Sequence, residues 1–443
     1  MARLCGEHAI VIGAGIGGLA AAAALSSHFE RVTVLERDEI GDESLARPGT
    51  PQSRHLHGLL TGGLQGLCRI FPNFDRDLAD VGAVPVRVTR DIRAEIPGFD
   101  SLPQRDFGWI NYTMTRSLIE RVMRRRLLGL SNVVLRDRCR VLELVAEHDG
   151  TVNAVRCEND GSFGANLVVD ASGRGTLTLS LLKAVGAQEP EQTRIGIDMV
   201  YATTTFEASK LPADWRMAIT VPEVPSRGKA GYLFPVEGSR WMALIGERHV
   251  PTPPDDVGHF LNMARQLRTS TLYDTVKDAR PLDKVHRFVF AENSWRHYEN
   301  LKTFPYGLLP LGDAICRFNP IYGQGMSIAI LEAEILGGLL DARAGNRDPL
   351  AGLTQCFLAA IHPLIEGTWS MATLPDFANP ATRGEPPKDI ENSLRFSRGL
   401  VRLAVRDAAV HELMVAVRYL MKPASALRDP ELVRRVQAEL ADA

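Results

Sequence analysis

Three glycines and one acid near the start of the chain have the spacing of a nucleotide-binding turn. Gly13, Gly15 and Gly18 form a G-x-G-x-x-G pattern, and Glu36 follows 18 residues after the last of them. In such a turn the first glycine allows the tight bend, the second lets the backbone approach a pyrophosphate, and the third lets helix and strand pack closely. The acid accepts hydrogen bonds from ribose hydroxyls, and its charge disfavours a 2′-phosphate.

These residues need a strand, a helix and a second strand to position them, and the sequence supplies all three in order. An apolar run, Ala9–Ile12, precedes the glycines, an alanine-rich segment follows through Leu25, and Val32–Leu35 is β-branched. The first amides of such a helix point at the phosphates, with the helix dipole behind them. The stretch predicts a bound dinucleotide. The alternatives are a purely structural βαβ unit and a signal peptide, for which no cleavage site follows.

A second glycine-rich helix start lies about 300 residues further on. The apolar run Leu308–Leu311 predicts a short buried strand that ends next to Asp313. Four residues of the following loop introduce the next helix: Pro320, Gly323, Gly325 and Met326. Two helix N-termini, each behind glycines, indicate one long ligand with two electron-rich ends.

Two further segments point to the same ligand. Arg116 stands in the first turn of a predicted helix, where the dipole disfavours a cation unless an anionic group lies nearby; simple solvent exposure is the alternative. A predicted buried strand ends at Asp170 and a glycine turn, and ligands of doubly wound sheets lie at such strand ends. His55 and His57 could bind a metal but have no third ligand nearby, so hydrogen bonds that fix their loop are the preferred interpretation.

Composition and charge disfavour several function classes. The 443 residues carry a formal net charge of −2, so no basic field attracts nucleic acid. Six scattered cysteines form no C-x-x-C pair, which disfavours a disulfide framework or zinc site and fits a reducing cytoplasm. No uncharged apolar run is long enough to predict a transmembrane segment. A basic helix expected over Leu394–Met421 leaves peripheral membrane contact as an alternative to core packing.

Changes in residue pattern predict an α/β fold with a Rossmann-like domain, an inserted, mostly antiparallel β-sheet domain and a C-terminal helical region. The four parts are the first nucleotide-binding segment, the inserted sheet, the second nucleotide-binding segment and the helices: residues 1–189, 190–290, 291–345 and 346–443. Alternation over residues 132–170 predicts a small β-meander. On the inserted sheet, Tyr232 and Phe234 alternate onto one face and could line a substrate pocket, although such aromatics are more often core.

With these motifs in order, the chain resembles the flavin monooxygenases of the para-hydroxybenzoate hydroxylase superfamily, which includes squalene epoxidase. The resemblance covers nearly the whole chain and rests on four motifs: GAGIGG with Glu36, DASG from Asp170, LLPLGDA around Asp313 and NPIYGQGM from Asn319. The loop RPGTPQSRHLHGLL, from Arg47, is a narrower signature. It is similar to the bacterial epoxidases of polyether antibiotic pathways.

The resemblance implies a non-covalently bound FAD and assigns residues to it. Gly13, Gly15 and Gly18 would cradle the pyrophosphate, and Glu36 would hold the adenosine ribose. Further contacts are implied for Arg37, for Arg116 at the ribityl–phosphate region, for Val141 at adenine, for Asp170, for Asp313 at a ribityl hydroxyl, and for Pro320, Gly323, Gly325 and Met326 along the isoalloxazine.

The resemblance also implies a reaction carried by the flavin itself. NADPH or NADH visits transiently, dioxygen adds to give a C4a-hydroperoxide, and one oxygen passes to a bulky, mostly apolar natural-product intermediate. No catalytic side chain and no metal is assigned. A flavin-dependent prenyl or alkene reductase is the main alternative, followed by an aromatic hydroxylase, a halogenase and a non-enzymatic flavoprotein. Few polar residues lie on the inserted strands, which favours epoxidation over phenol hydroxylation.

Overall fold

The structure is a computed structural model that describes residues 4–41, 47, 49–99, 101–208, 211–224, 228–248 and 254–441. Pro48, part of the loop singled out above, lies outside the described residues. The strands and helices named below all fall within these ranges.

The strands, in chain order, are β1 (Gly6–Ile12), β2 (Phe29–Leu35), β3 (Val84–Arg87), β4 (Ile92–Glu95), β5 (Ile110–Thr113), β6 (Val133–Arg136), β7 (Val141–Ala146), β8 (Val152–Cys157), β9 (Gly161–Gly164), β10 (Leu167–Asp170), β11 (Gln192–Glu207), β12 (Met217–Thr220), β13 (Ala230–Val236), β14 (Arg240–Arg248), β15 (His286–Arg296), β16 (Leu308–Pro310) and β17 (Cys316–Arg317). The helices are α1 (Ile16–Ser26), α2 (Thr61–Ile70), α3 (Phe74–Asp80), α4 (Arg116–Leu128), α5 (Thr176–Ala184), α6 (Val257–Arg265), α7 (Thr271–Val276), α8 (Gly325–Arg343), α9 (Leu353–Phe377), α10 (Ile390–Arg406), α11 (Ala408–Arg418) and α12 (Pro430–Ala441).

The nucleotide-binding sheet is parallel, with strand order β16-β10-β1-β2-β6. Its central strand β1 ends in the apolar run Ala9–Ile12 because both faces of the sheet are covered, one by helices that include α1 and α8 and the other by β7, β8 and α5. Ile12 pairs with Leu35 on one side and with Asp170 on the other, and Asp170 pairs in turn with Pro310. The carboxyl ends of four strands therefore meet at one edge, which is where ligands of doubly wound sheets bind. The predicted α/β fold class is confirmed.

The second sheet has the order β17-β15-β11-β14-β13-β12-β4 and is antiparallel except where β4 runs parallel to β12. Helices α6 and α7 cover one face, where Leu233 joins the core around Trp241 and Phe260. Tyr232 and Phe234 point to the opposite face. Because β4 comes from outside residues 190–290, the sheet is not made from that interval alone, and the domain boundaries stay a prediction.

Two expectations about local structure are wrong. The segment Val133–Arg136 is not part of a meander: it runs parallel to β2 at the edge of the nucleotide-binding sheet, and only β7, β8 and β9 form the small antiparallel sheet. A residue pattern predicts a strand but does not specify its partner. The single helix expected over Leu394–Met421 is two helices, α10 and α11, because the Asp407 carboxylate accepts from the amides of Ala409 and Val410 and starts α11 afresh.

The apolar face of the basic helix α10 is covered within the chain. Leu400 and Ala404 of α10 pack in one cluster with Val410 of α11 and with Leu432 and Val436 of α12. Across the described ranges, no helix combines the length and the hydropathy needed to cross a bilayer.

Candidate functional site

The three glycines of the first turn do different jobs. Gly13 has φ +100°, and a Cβ there would lie 2.7 Å from the carbonyl oxygen of Ala171 on the neighbouring strand end. A Cβ at Gly18 would lie 1.9 Å from the Gly13 carbonyl oxygen. At Gly15 the nearest atom to such a Cβ is Nη2 of Arg116, at 3.8 Å. Gly13 and Gly18 are therefore required by the fold, whereas Gly15 leaves room for a ligand beside the Arg116 guanidinium. The space between this turn and the second glycine turn, Asn319–Gly325, is called the cleft below.

Glu36 is buried at the end of β2 and bonded to the same turn. Its carboxylate accepts from the amides of Ala14 at 2.8 Å and Asp38 at 3.0 Å. Arg47 Nη1 lies 2.8 Å from Glu36 Oε2. A carboxylate has about four acceptor positions, so capacity for one more donor, such as a ribose hydroxyl, remains.

A buried charge network joins the first turn to helix α4. Arg47 donates to Glu120 at 2.9 Å and to the Ala14 carbonyl at 3.1 Å, and Arg116 donates to the other Glu120 oxygen at 2.9 Å. Burial opposes ionisation of Glu120, but the guanidiniums of Arg116 and Arg47 outweigh it and lower the pKa of this carboxyl. Glu120 thus holds two cations at the edge of the cleft next to Gly15.

The two histidines form hydrogen bonds that fix their loop, as interpreted from the sequence. His57 Nδ1 lies 2.8 Å from the His55 carbonyl oxygen, and His55 Nδ1 lies 2.8 Å from Thr203 Oγ1 on the second sheet. Burial and the Arg116 charge lower the pKa of His57 to about 3, so the ring is neutral. Since a carbonyl only accepts, Nδ1 carries the proton and Nε2 accepts from Arg116 Nη1 at 3.4 Å. Among the described residues, no group of three metal-ligating side chains could hold an ion.

The second glycine turn borders the same cleft. Asn319 caps the short turn Pro320–Tyr322, and Gly323 follows with φ +68°. A Cβ at Gly323 would lie 3.6 Å from the carbonyl oxygen of Gly58, so the loop after His57 faces this turn. A Cβ at Gly325, the first residue of α8, would lie 4.0 Å from Asp313 Oδ1.

Asp313 lies on the wall of the cleft. Its side chain is open to solvent although protein surrounds it. This enclosure raises the pKa of Asp313, and the nearby guanidiniums of Arg317, Arg116 and Arg296 oppose the rise. The structure therefore brings Gly15, Arg116 and Asp313 together with both loops.

Other residues assigned from the resemblance lie at varying distances from this centre. Arg37 is largely exposed at the end of β2. Val141, at the start of β7, packs against the apolar cluster that contains Leu35. Asp170 is completely buried, and its carboxylate accepts from Ser172 Oγ at 2.6 Å and from Thr178 Oγ1 at 2.7 Å. The described contacts of Asp170 are thus internal, and its role toward a cofactor stays a prediction, as do the other assignments.

Tyr232 and Phe234 lie beside the His57–Gly58 loop. Their ring centroids are 6.3 Å apart, and a Cβ at Gly58 would lie 3.9 Å from the Phe234 ring. Phe234 is buried and Tyr232 is half-buried, with burial raising the pKa of the Tyr232 phenol to about 12. Leu56 and Tyr419 pack against the same cluster, so this part of the cleft is mainly apolar and aromatic.

Sequence reasoning missed several residues that build the site. Arg47 and His57 stood in a loop already singled out, but their partners could not be assigned from the sequence. Glu120 had a local signal, since it lies four residues after Arg116 on one helix face. Asp376 and Arg248, whose contacts with the second turn are described below, carried no signal because they are distant in the chain.

Comparison with solved structures defines the class of fold. PqsL, a probable FAD-dependent monooxygenase from Pseudomonas aeruginosa, superposes with a TM-score of 0.63 at 16% identity, over 84% of this chain and 97% of that one. The flavin-dependent brominase Bmp2 gives 0.68 at 11% identity, over 99% and 98%. 2-Methyl-3-hydroxypyridine-5-carboxylic acid oxygenase gives 0.58 at 17% identity, over 83% and 90%. The chain has the fold that these three enzymes share.

Sequence comparison identifies the family. Residues 11–42, which contain the first turn and Glu36, match the model of an NAD(P)-binding Rossmann-like domain. Protein Rv3254 of Mycobacterium tuberculosis (strain ATCC 25618 / H37Rv) is 30% identical over 398 residues, which span 86% of this chain and 82% of that protein. The chain belongs to the same family as Protein Rv3254.

Proposed function

We propose that the protein is an FAD-dependent monooxygenase that uses NADPH or NADH and dioxygen to oxygenate a bulky, mostly apolar molecule. The main support is a single cleft bordered by two glycine turns. Gly15 opens onto one end of it, Gly323 and Gly325 onto the other, and Arg116 lies between. PqsL and Bmp2, the two flavin-dependent enzymes among the structures that share the fold, support the same cofactor class.

The residues along the cleft fit FAD. Gly15 beside Arg116 fits a pyrophosphate, and Glu36 keeps acceptor capacity for the ribose. The buried Oε1 of Gln324, between the two glycines of the second turn, has no hydrogen-bond partner among the described residues and can accept from a ligand. When bound, FAD takes hydride from reduced nicotinamide and activates dioxygen for transfer to the substrate.

The chain itself would orient the ligands and exclude water. The N-terminus of α8, a 19-residue helix, favours negative charge at the second turn. The face of the second sheet that packs against the second turn carries mainly apolar and aromatic side chains: Met199, Tyr201, Tyr232, Phe234 and Leu244. Such a wall suits a dry cleft and an apolar substrate. It supports epoxidation ahead of phenol hydroxylation, which usually needs a base or relay, and with it the proposed likeness to polyether-pathway epoxidases.

The first test is cofactor content. The purified protein should be yellow, acid precipitation should release FAD rather than FMN, and NADPH or NADH should be consumed. A colourless protein that takes up no FAD would overturn the proposal. A flavoprotein that never consumes reduced nicotinamide would instead be non-enzymatic.

The second test is oxygen transfer, measured with labelled dioxygen and a panel of an apolar polyene, a terpenoid and a phenol. One labelled atom in the polyene or terpenoid supports the epoxidase. Label in the phenol alone would leave a monooxygenase of the hydroxylase type. Saturation of a double bond without label would show a reductase. Because Bmp2 shares the fold, the phenol is also tested with bromide, and a brominated product would show a halogenase.

A further inference from the structure

A buried polar network joins the second glycine turn to three distant elements. Asp376 lies near the end of α9, Asn293 on β15, Arg248 at the end of β14, and Asn319 at the start of the turn. Asp376, Asn293 and Asn319 are completely buried, and the Arg248 side chain is 9% exposed. The network therefore lies inside the protein, directly behind the turn.

The Asp376 carboxylate is the centre of the network. Its Oδ1 accepts from the Tyr322 hydroxyl at 3.0 Å and from Asn319 Nδ2 at 3.2 Å. Its Oδ2 accepts from Asn293 Nδ2 at 2.9 Å, and Arg248 forms an ion pair with Oδ1. One side chain of the C-terminal helical region thus holds both ends of the turn Asn319–Tyr322.

Asn319 has little freedom left. Its side-chain Oδ1 accepts from the Tyr201 hydroxyl and from the backbone amide of Ile321, and the backbone amide of Asn319 donates to Asn293 Oδ1. Pro320 next to it fixes one backbone angle. Besides its own backbone hydrogen bonds, the turn that leads to Gly323 is therefore held by side chains of the second sheet and of α9.

Such a network is costly to bury, which argues that it does more than stabilise the core. Removing two charges from water is repaid only when every donor and acceptor is paired, and apolar residues of equal volume often stabilise a core as well. Here the charged pair faces a turn that borders the cleft. The hydrogen bonds of this pair are directional, so they fix the orientation of the turn, whereas apolar packing does not.

We propose that Asp376 is a positioning residue: with Arg248 it fixes Asn319 and Tyr322, and so sets where the amides of Gly323–Met326 face the isoalloxazine end of the cofactor. This inference rests on the proposed function. It gives the C-terminal helical region an indirect part in the cofactor site, through Asn319 and Tyr322, although α9 follows the last glycine motif in the chain.

The test measures the affinities of two ligands, FAD and ADP. The wild-type protein and full-length variants are purified as holoprotein, and each is stripped of flavin before the titrations. ADP reaches only the nucleotide end of the cleft, whereas FAD also needs the second turn. In Tyr322→Phe and Asp376→Asn we expect at least tenfold weaker FAD binding with ADP binding unchanged. We also expect a shifted midpoint potential of the bound flavin.

The matched controls lie at an exposed phenol–carboxylate hydrogen bond of 2.9 Å just before β16: Tyr306→Phe removes its donor, and Asp348→Asn removes the charge of its acceptor. They should bind both ligands as the wild type does. Equal loss of FAD and ADP, or wild-type binding of both, in Tyr322→Phe would overturn the inference. If Asp376→Asn does not fold, Tyr322→Phe alone decides. A wild-type protein that binds no FAD would instead refute the proposed function.

Discussion

The two glycine turns that border the cleft are held in place by different kinds of force. The first turn, from Gly13 to Gly18, is shaped by backbone atoms that approach closely within one βαβ unit and the next strand end. The second turn, from Asn319 to Gly325, is held by side chains as distant in the chain as Tyr201 and Asp376.

This difference determines how each turn should fail. Steric repulsion rises steeply, so an added Cβ at 1.9 Å from Gly13 O cannot be absorbed at Gly18. A hydrogen bond contributes about 0.5–1.5 kcal/mol net, so the second turn should weaken by steps as partners are removed. Substitutions in the first turn should therefore either leave its function intact or abolish it, whereas substitutions in the second turn should weaken FAD binding by degrees.

The largest effect is expected at the first turn, where two glycines can be compared. Gly18→Ala should cost about 3 kcal/mol or more through overpacking and give insoluble or much less stable protein. Gly15→Val should fold normally, because the nearest atom to a Cβ there is Arg116 Nη2 at 3.8 Å, an ordinary contact, yet retain no FAD. Thermal melts and flavin content measure the two effects. Wild-type flavin content in Gly15→Val would show that this turn does not hold the cofactor.

A smaller effect is expected at the strand ends. Asp313→Ala should weaken FAD binding by about 1–3 kcal/mol, the cost of one buried hydrogen bond left unmade, with little change in Tm. Asp170→Ala should do the reverse, because the donors of Ser172 and Thr178 lose their acceptor inside the fold. Titration of the flavin-free variants and thermal melts separate the two. If Asp170→Ala weakens FAD binding without lowering Tm, Asp170 faces the cofactor after all.

A buried acid on α8, the helix that begins at the second turn, should make the stability of the protein depend on pH. Burial raises the pKa of Glu332 to about 8, although the Gly312 amide donates to it at 2.6 Å. A raised folded pKa means that the stabilisation is complete below the unfolded pKa and is lost as pH rises through 8. Glu332→Gln mimics the neutral acid at every pH. It should match the wild type near pH 4 and be more stable at pH 8, by several kcal/mol. An equal difference at both pH values would contradict this.

The smallest effect is expected at His57, between the two turns. Its folded pKa, about 3, lies below the usual value of 6.5, so folding is opposed increasingly as pH falls below 6.5. His57→Gln should flatten the pH dependence of the unfolding free energy between pH 6 and 4 by about 1 kcal/mol per pH unit. His411→Gln should do the same, since burial and Arg105 lower the pKa of His411 to about 4. Only His57→Gln should also change FAD affinity, through Arg116. Identical FAD binding in both variants would remove His57 from the site.

The sequence alone determined the first turn. Residues 9–36 contain the strand, the glycines, the helix and the acid, and the contacts that these parts make with one another are local, so spacing predicts them. It also predicted the order of the motifs and the α/β fold class. The predicted second turn was found where Pro320 and Gly323 placed it, because proline fixes its own φ and glycine permits the positive φ that ends the turn.

Only the tertiary structure decided what holds the site together. The partners of Asn319 include Asp376, 57 residues away, and Tyr201, 118 residues away, and no pattern in the sequence joins them. The residue pattern of the edge strand β6 likewise predicted a strand but not its pairing with β2. Local conformation follows from the residues at hand, whereas the pairing of buried polar groups depends on which distant elements the fold brings into contact.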